Sequence, residues 1–451
     1  MMNRPSSIRF AVAGLLTIMA CLLYLDRYVV GIASESIRVN LKMTQSQMSW
    51  FLSAFFWSYA LCQVPAGWLS DRFGPRRMLT FYILGWSLFT GLLGVATQVS
   101  MVLLLRFLCG ATQAGAYPVC AGMVRNWFPV SSRGGASAVV AMGGRSGAVL
   151  APILTAWLML TFAGRWQPVV ILYGFAGIVV AFVFALICRD TPHDHPHCNN
   201  AERVMIAGSA SKDEARLSNK ADSQSPATQQ FPLKAMLISV SLWGSSFTQF
   251  FTNIGWLFVV TWFPRYLENV HQVPLKEQAL MTAIPTIAGI IGMLCGGWWT
   301  DVAVRRFGLR WGRCLPISIT RFTAASGYGL CLALSMFYEP DPDSRWLPWM
   351  IVVGLSIATF SCDIGVPAMW AYSQDVGGKY TASVMGWANM FGNLGAAVAP
   401  LLYNAILGET PTLSQWSYLF LFCAVVFAVS GLTALVVDGT KRITNERPAT
   451  A

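Results

Sequence analysis

Apolar residues along this chain come in long runs separated by short polar gaps. A helix that crosses a ~30 Å hydrocarbon core needs roughly 20 mainly apolar residues. Runs of that length fall at about 10–33, 46–68, 78–97, 101–125, 135–160 and 166–188. They resume at about 238–263, 277–299, 314–337, 346–372, 382–407 and 415–437. Between the two sets lies a polar stretch, 189–236, rich in Ser, Asp, Lys and Asn. The pattern predicts an all-α membrane protein with 12 transmembrane helices. Two pseudo-symmetric six-helix bundles, 1–188 and 237–451, would be joined by the linker 189–236.

Composition supports the membrane reading. Of 451 residues, 55% are hydrophobic and 11% charged, against about 25% charged in a soluble protein. So few charges exclude a soluble enzyme, a disordered scaffold and a secreted disulfide domain. The net charge of +11 would suit a nucleic-acid binder, but its placement does not. Basic residues occupy the gaps between runs, as the positive-inside rule requires of cytoplasmic loops. With the N-terminus inside, 21 Lys and Arg fall on inner segments, from Arg4 and Arg9 to Arg447, and 6 on outer ones. That bias predicts a multi-pass plasma (inner) membrane protein with both termini and the linker cytoplasmic. The opening residues resemble a signal peptide, but Asp26 and Arg27 interrupt the run, so a retained first helix is expected.

Candidate chemistry is sparse. The cysteines are scattered without zinc-ligand spacing, and His193, His195 and His197 read as solvated linker. No phosphate-binding loop, HExxH or nucleophile elbow occurs. No metal, cofactor, enzymatic activity or nucleic-acid partner is therefore expected, and the protein is expected to be monomeric.

The two halves share a motif. Gly67-Trp68-Leu69-Ser70-Asp71, followed by Arg72, Arg76 and Arg77, comes after the second run. Gly297-Trp298-Trp299-Thr300-Asp301, followed by Arg305, Arg306 and Arg310, comes after the eighth. The glycine permits close helix approach. The aspartate can pair with arginines or cap a neighbouring helix. Such a latch would break if the two halves rock against one another.

Twelve spans in two sixes, a long central loop and this duplicated motif resemble the major facilitator superfamily. Within it, Tyr24-Leu25-Asp26-Arg27-Tyr28, the stretch from Ser53 through Tyr59 and Gln63 to Gly67, and Arg106-Phe107-Leu108-Cys109-Gly110 are similar to the anion:cation symporter family. Asn126-Trp127-Phe128-Pro129, the linker residues Asp190, Pro192, Glu202 and Arg203, and Trp387-Ala388-Asn389 through Asn393 match it too. The resemblance implies a secondary transporter of an organic anion, a sugar acid or related mono- or dicarboxylate, using alternating access. It also implies that Asp26 titrates and that Arg27 and Tyr59 contact the substrate. Where many members carry a second glutamate, this chain has Gln113, which cannot titrate.

A charge at the bilayer centre costs at least ~2.5–3.5 kcal/mol, so each needs a reason. Adjacent residues on a helix point about 100° apart, so Asp26 and Arg27 cannot neutralise one another across one face. Arg106 on span 4 is the expected partner of Asp26. Asp363, near mid-membrane in span 10, is a candidate second proton site or a structural acid. Arg145, among the glycines of span 5, would serve a dianionic substrate or pair with Asp363. Arg321 is expected to snorkel from the cytoplasmic end of span 9. Gln63, one turn from Tyr59, and the i, i+4 pair Asn389 and Asn393 are candidate sugar-acid contacts, as are Asn253, Trp256 and Thr261 by location. The partners expected are thus a small organic anion, protons and the lipid bilayer. Organophosphate:phosphate antiport and uncoupled anion exchange remain open alternatives.

Overall fold

The computed structural model describes residues 5–207, 233–339, 345–408 and 411–443. Most of the linker lies outside these, as do Arg4 and Arg447 of the charge count. The described chain is almost entirely helical. In lipid this is forced, because each backbone N–H and C=O must find its partner within the segment.

Span 1 is Ile8–Ile32, span 2 Gln45–Phe73, span 3 Pro75–Leu93, span 5 Arg133–Thr161 and span 6 Gln167–Ile187. Span 4 is broken, Val99–Gln113 followed by Ala116–Trp127. Span 10 breaks at the equivalent place, Trp346–Ile364 followed by Val366–Gly377. Span 7 runs from Val240–Leu257 through a π turn, Phe258–Trp262, into Phe263–His271. The π turn frees the carbonyls of Ile254 and Gly255, which accept from the hydroxyls of Tyr403 and Tyr328. Spans 11 and 12 are Thr381–Leu407 and Leu413–Ala434.

Spans 8 and 9 form one run, Leu275–Phe337, broken only at Gly308 with φ 74° and ψ 177°. The polar gap expected over 300–313 is therefore helical on both sides of a single residue. A positive φ at that turn suits glycine, which has no Cβ to clash. Gly74, with φ 91°, turns the chain between spans 2 and 3 in the same way.

The chain divides into two compact units. The first holds residues 1–236 with Ser373–Trp387 and 442–451; the second holds Leu237–Tyr372 and Ala388–Lys441. Each is knitted by small residues, as expected where lipid offers no hydrophobic drive to associate. In the first, a Cβ on Gly143 or Gly147 of span 5 would collide with the carbonyls of Thr17 or Cys21 on span 1, and one on Gly110 of span 4 with Phe55 on span 2. In the second, Gly395 of span 11 meets Phe250 of span 7, and Gly292 and Gly296 of span 8 meet Phe360 and Ile364 of span 10. The same helix pairs, 1 with 5 and 2 with 4, thus recur as 7 with 11 and 8 with 10.

The first part of the linker is built into the first unit. Asp190 Oδ1 accepts from the Arg76 N–H at 2.7 Å, so it caps span 3. Glu202 is fully buried and caps span 1: it accepts from Ser6 Oγ at 2.5 Å, the Arg9 N–H at 3.2 Å and the Arg9 guanidinium at 3.1 Å. Of the three histidines expected in solvent, His193 and His197 are exposed. His195 is buried edge-on against Trp127, whose indole N–H donates to the Arg189 carbonyl at 2.9 Å.

Candidate functional site

Asp26 and Arg27 are adjacent, and the helix sends them to different surroundings. Asp26 is completely buried; it faces Trp86 of span 3 and lies within electrostatic reach of Arg106 of span 4. Neither of its carboxylate oxygens makes a hydrogen bond. The expected ion pair with Arg106 is not closed. Arg106 Nη2 instead donates to the Arg27 carbonyl at 3.2 Å, and its guanidinium lies 4.3 Å from the centre of the Phe55 ring.

Arg27 turns the other way, half-buried in an aromatic cage. Its guanidinium carbon lies 4.4 Å from the Tyr59 ring, 5.0 Å from Tyr24 and 5.1 Å from Phe55. Nη2 donates to Gln113 Oε1 at 3.5 Å. Gln113 is itself fully buried, with Nε2 donating to the Leu23 carbonyl at 3.4 Å. Tyr117 completes the cage edge-on to Tyr24, and Tyr28 stacks on Tyr24 with ring centres 6.0 Å apart. Among the described residues no carboxylate pairs with Arg27. Cation–π contacts of this kind stabilise a desolvated guanidinium without neutralising it.

Around this core the other expected residues are placed unevenly. Arg145, half-buried on span 5, is close enough to Tyr28 to interact with it. Gln63 is fully buried with no hydrogen bond to either amide atom, beneath the tight packing of Gly386 on its backbone. It shares a helix face with Tyr59 but is sealed where Tyr59 meets Arg27. Residues that motif reading gave no site role are Phe55, Trp86 and Tyr117. Spacing could have found two of them, since Phe55 stands one turn before Tyr59 and Tyr117 one turn after Gln113; Trp86, on span 3, carried no such signal.

The second unit carries a separate polar set. Asn393 Nδ2 donates to the Asn389 carbonyl at 2.8 Å, and Asn253 Nδ2 to the Gln249 carbonyl at 2.9 Å. A Cβ on Gly392 would lie 2.8 Å from Asn253 Nδ2, so spans 7 and 11 bring these amides together, with Gln249 added. Thr261 is exposed and bonds its own helix; Trp256 is half-buried. Asp363 is buried against Gly289 of span 8, just before the span-10 break. Gln113 holds the corresponding place at the end of the first segment of span 4. Arg321 does not snorkel. It is fully buried, with Nη1 donating to the Cys362 carbonyl at 2.7 Å and Nη2 3.3 Å from Met369 Sδ. It lies 13 residues past the Gly308 turn, about 20 Å along the helix, beyond the reach of its own side chain.

The duplicated motif acts through its aspartate. Asp71 accepts from the N–H groups of Ala382 and Ser383, at 3.1 and 2.8 Å, and from Ser383 Oγ at 2.5 Å. It therefore caps the start of span 11, and Gly67 lets span 2 approach the Ala382 carbonyl. The motif's arginines work elsewhere. Arg76 donates to the Ala185 carbonyl at the end of span 6, at 2.5 and 3.1 Å, and Arg72 is exposed beside Trp68 and Phe73. Nearby, Arg133 pairs with Asp375 at 2.8 Å, both buried, and Gln374 donates to Ser137 Oγ at 3.0 Å. In the second copy Asp301 is buried and Arg305 exposed. Among the described residues no His, Cys, Asp and Glu group could hold a metal ion.

Residues 16–400 match the family model of the Major Facilitator Superfamily. The chain belongs to the major facilitator superfamily. It is a membrane transporter rather than an enzyme. It is 29% identical over 419 residues to a probable galactarate/D-glucarate transporter, GudP, of Bacillus subtilis, covering 90% of this chain and 88% of that protein. It is 26% identical to a probable sulfoacetate transporter, SauU, of Cupriavidus necator, over 97% and 95% of the two chains. A D-galactonate transporter of Escherichia coli is 27% identical over 98% of each. Among solved structures, the proton:xylose symporter XylE shares the fold with a TM-score of 0.69 at 12% identity, covering 96% of this chain and 95% of that one. The twelve-span fold of the superfamily is thereby confirmed.

Proposed function

We propose that this transporter carries a sugar acid or related mono- or dicarboxylate, in symport with protons, by alternating access. One observation carries the reading: Arg27 is a caged, partly buried cation with no carboxylate partner among the described residues. A substrate carboxylate supplies the missing charge, and the planar guanidinium suits it in bidentate geometry. Galactarate, galactonate and sulfoacetate, named for its relatives, are all organic anions. Tyr59 and Gln113 orient the ligand beside Arg27, and Arg106 and Arg145 add positive potential. In the second unit, the separate amide set of Asn389 and Asn393 is suited to hydroxyls, and in the first Gln63 offers another amide when exposed.

Asp26 is the coupling acid in this reading. Ionised, it attracts Arg106, whose Nη2 bonds the Arg27 carbonyl. Protonated, it releases that pull and alters the backbone that carries Arg27. Asp363 is the second proton site, standing at the span-10 break where Gln113 stands in span 4. The Asp71 cap on span 11 and the Arg133–Asp375 pair must open and close once per cycle, and Asp301 with Arg305 plays the corresponding part. The charge bias supports a plasma-membrane location with both termini cytoplasmic. A monomer would suffice, since the site is built from one chain.

Gln113 favours one competing reading, exchange without proton coupling, because an amide replaces an acid. Proteoliposomes separate the two. Symport predicts uptake of galactarate or galactonate driven by an inward proton gradient with empty vesicles. Uptake only when anion is loaded inside establishes exchange, and inhibition by inorganic phosphate points to organophosphate antiport.

A further inference from the structure

The second unit contains a groove that the transport site does not use. It has a volume of about 710 Å³ and lies among spans 8, 9 and 10. Ile284, Ala288 and Trp299 of span 8 line one wall, and Trp349 and Phe360 of span 10 the other. From Ile284 to Trp299 the helix rises about 22 Å, more than the ~15 Å depth of one leaflet's hydrocarbon. The wall is apolar in fact as well as in name. Three of its four hydroxyls, those of Thr320, Thr323 and Ser356, donate to carbonyls of their own helices, those of Pro316, Ile319 and Val352, at 2.8, 3.0 and 2.7 Å; the fourth, Ser361, is buried. A wall so short of free polar groups suits a hydrocarbon chain better than a sugar acid.

The groove has a charged end. At 100° per residue, Arg306 falls within about 40° of Ile284 around span 8, on the stripe shared with Ala288. It stands seven residues past Trp299, about 10 Å further along the axis and two residues before the Gly308 turn. Arg306 is exposed, and among the described residues it makes no ion pair or hydrogen bond. Flanking it, Trp298 and Phe307 are exposed aromatics of the kind that settle at headgroup depth.

We propose that this groove is a binding site for an anionic glycerophospholipid, with one acyl chain between Trp299 and Trp349 and the phosphate on Arg306. The spacing matches the molecule: a long apolar slot, then one cation a headgroup's distance beyond it, on the same helix face. Basic positions between membrane helices near an interface recruit such headgroups. A zwitterionic lipid would fill the slot equally but gain less at its charged end.

The test uses the full-length protein in non-ionic detergent, titrated with phosphatidylglycerol, with phosphatidylcholine of identical chains, and with glycerol phosphate alone. Binding is read by native mass spectrometry and thermal shift. Phosphatidylglycerol should bind about fivefold more tightly than phosphatidylcholine, the usual worth of one surface arginine. Glycerol phosphate should produce no shift at the same concentrations. R306Q should erase the preference without altering the unliganded melting temperature, while R265Q, on span 7 and outside the groove, should keep it. A288F, which narrows the slot, should weaken both lipids alike. Equal binding of the two lipids by the parent protein, a preference that survives R306Q, or a shift with glycerol phosphate alone would each overturn the proposal.

Discussion

Replacing Arg27 by alanine removes a caged cation that has no carboxylate partner among the described residues. A hydrogen bond to a charged group is worth about 1.5–3 kcal/mol. A substrate carboxylate that loses such a bond should therefore bind roughly 10- to 150-fold more weakly. Lysine keeps the charge but not the planar fork that lies against Tyr24, Phe55 and Tyr59, so R27K should fall between, at about tenfold. Stability should move the other way or not at all, because deleting a partly buried cation also removes its desolvation cost. The assay is ligand-induced thermal shift with galactarate and galactonate, checked by counterflow in proteoliposomes. R27A should melt near the parent temperature without ligand and show little stabilisation with it. Binding within threefold of the parent, by a protein that folds normally, would refute the assignment of Arg27.

Other consequences concern packing and capping. A leucine at Gly147 would drive its side chain into the Cys21 carbonyl of span 1; overpacking of this kind costs about 1–3 kcal/mol, read as a lower melting temperature or lost expression. R133A or D375A should each cost about 3–5 kcal/mol by stranding a buried charge, whereas R133M/D375L together should recover most of it; a double-mutant cycle in thermal melts decides. D71A leaves the first N–H groups of span 11 uncapped, at about 0.5–2 kcal/mol, and should raise thiol labelling of a cysteine placed at Ala382. Burial holds the His195 imidazole below its usual range. Folding around His195 is therefore best above pH 6.5 and weakens as pH falls below it. Hydrogen exchange over 189–207, corrected for the fall of intrinsic amide exchange with acidity, should show less protection at pH 5.5 than at pH 7, and H195Q should flatten that change.

The twelve spans were legible because a bilayer leaves the backbone no alternative to helix, so run length alone marks them. Asp26 and Arg27 were legible for a related reason, since a charge is conspicuous where charges are costly. Their separate destinations followed from the 100° between neighbours. What the pattern could not show depends on neighbours distant in sequence. Arg321 reads as able to snorkel because the apolar run of span 9 begins at 314, only seven residues before it, whereas the helix resumes directly after Gly308 and sets Arg321 13 residues from the turn. Asp190 and Glu202 read as linker acids, yet each fills a helix start in a different part of the first unit. The break in span 10 falls within an unbroken apolar run, and only its likeness to the break in span 4 gives it meaning. Arg106 lies within electrostatic reach of Asp26, but the Arg27 carbonyl and the Phe55 ring take up its guanidinium.

The central claim is that Asp26 couples proton binding to movement of an anion held at Arg27. Its most direct test is uphill uptake of galactarate or galactonate into proteoliposomes under an inward proton gradient, parent against D26N. The parent should concentrate the anion and lose that ability when the gradient is collapsed. D26N should still exchange labelled for unlabelled anion but fail to concentrate it. If D26N accumulates anion against its gradient as well as the parent does, Asp26 is not the coupling group.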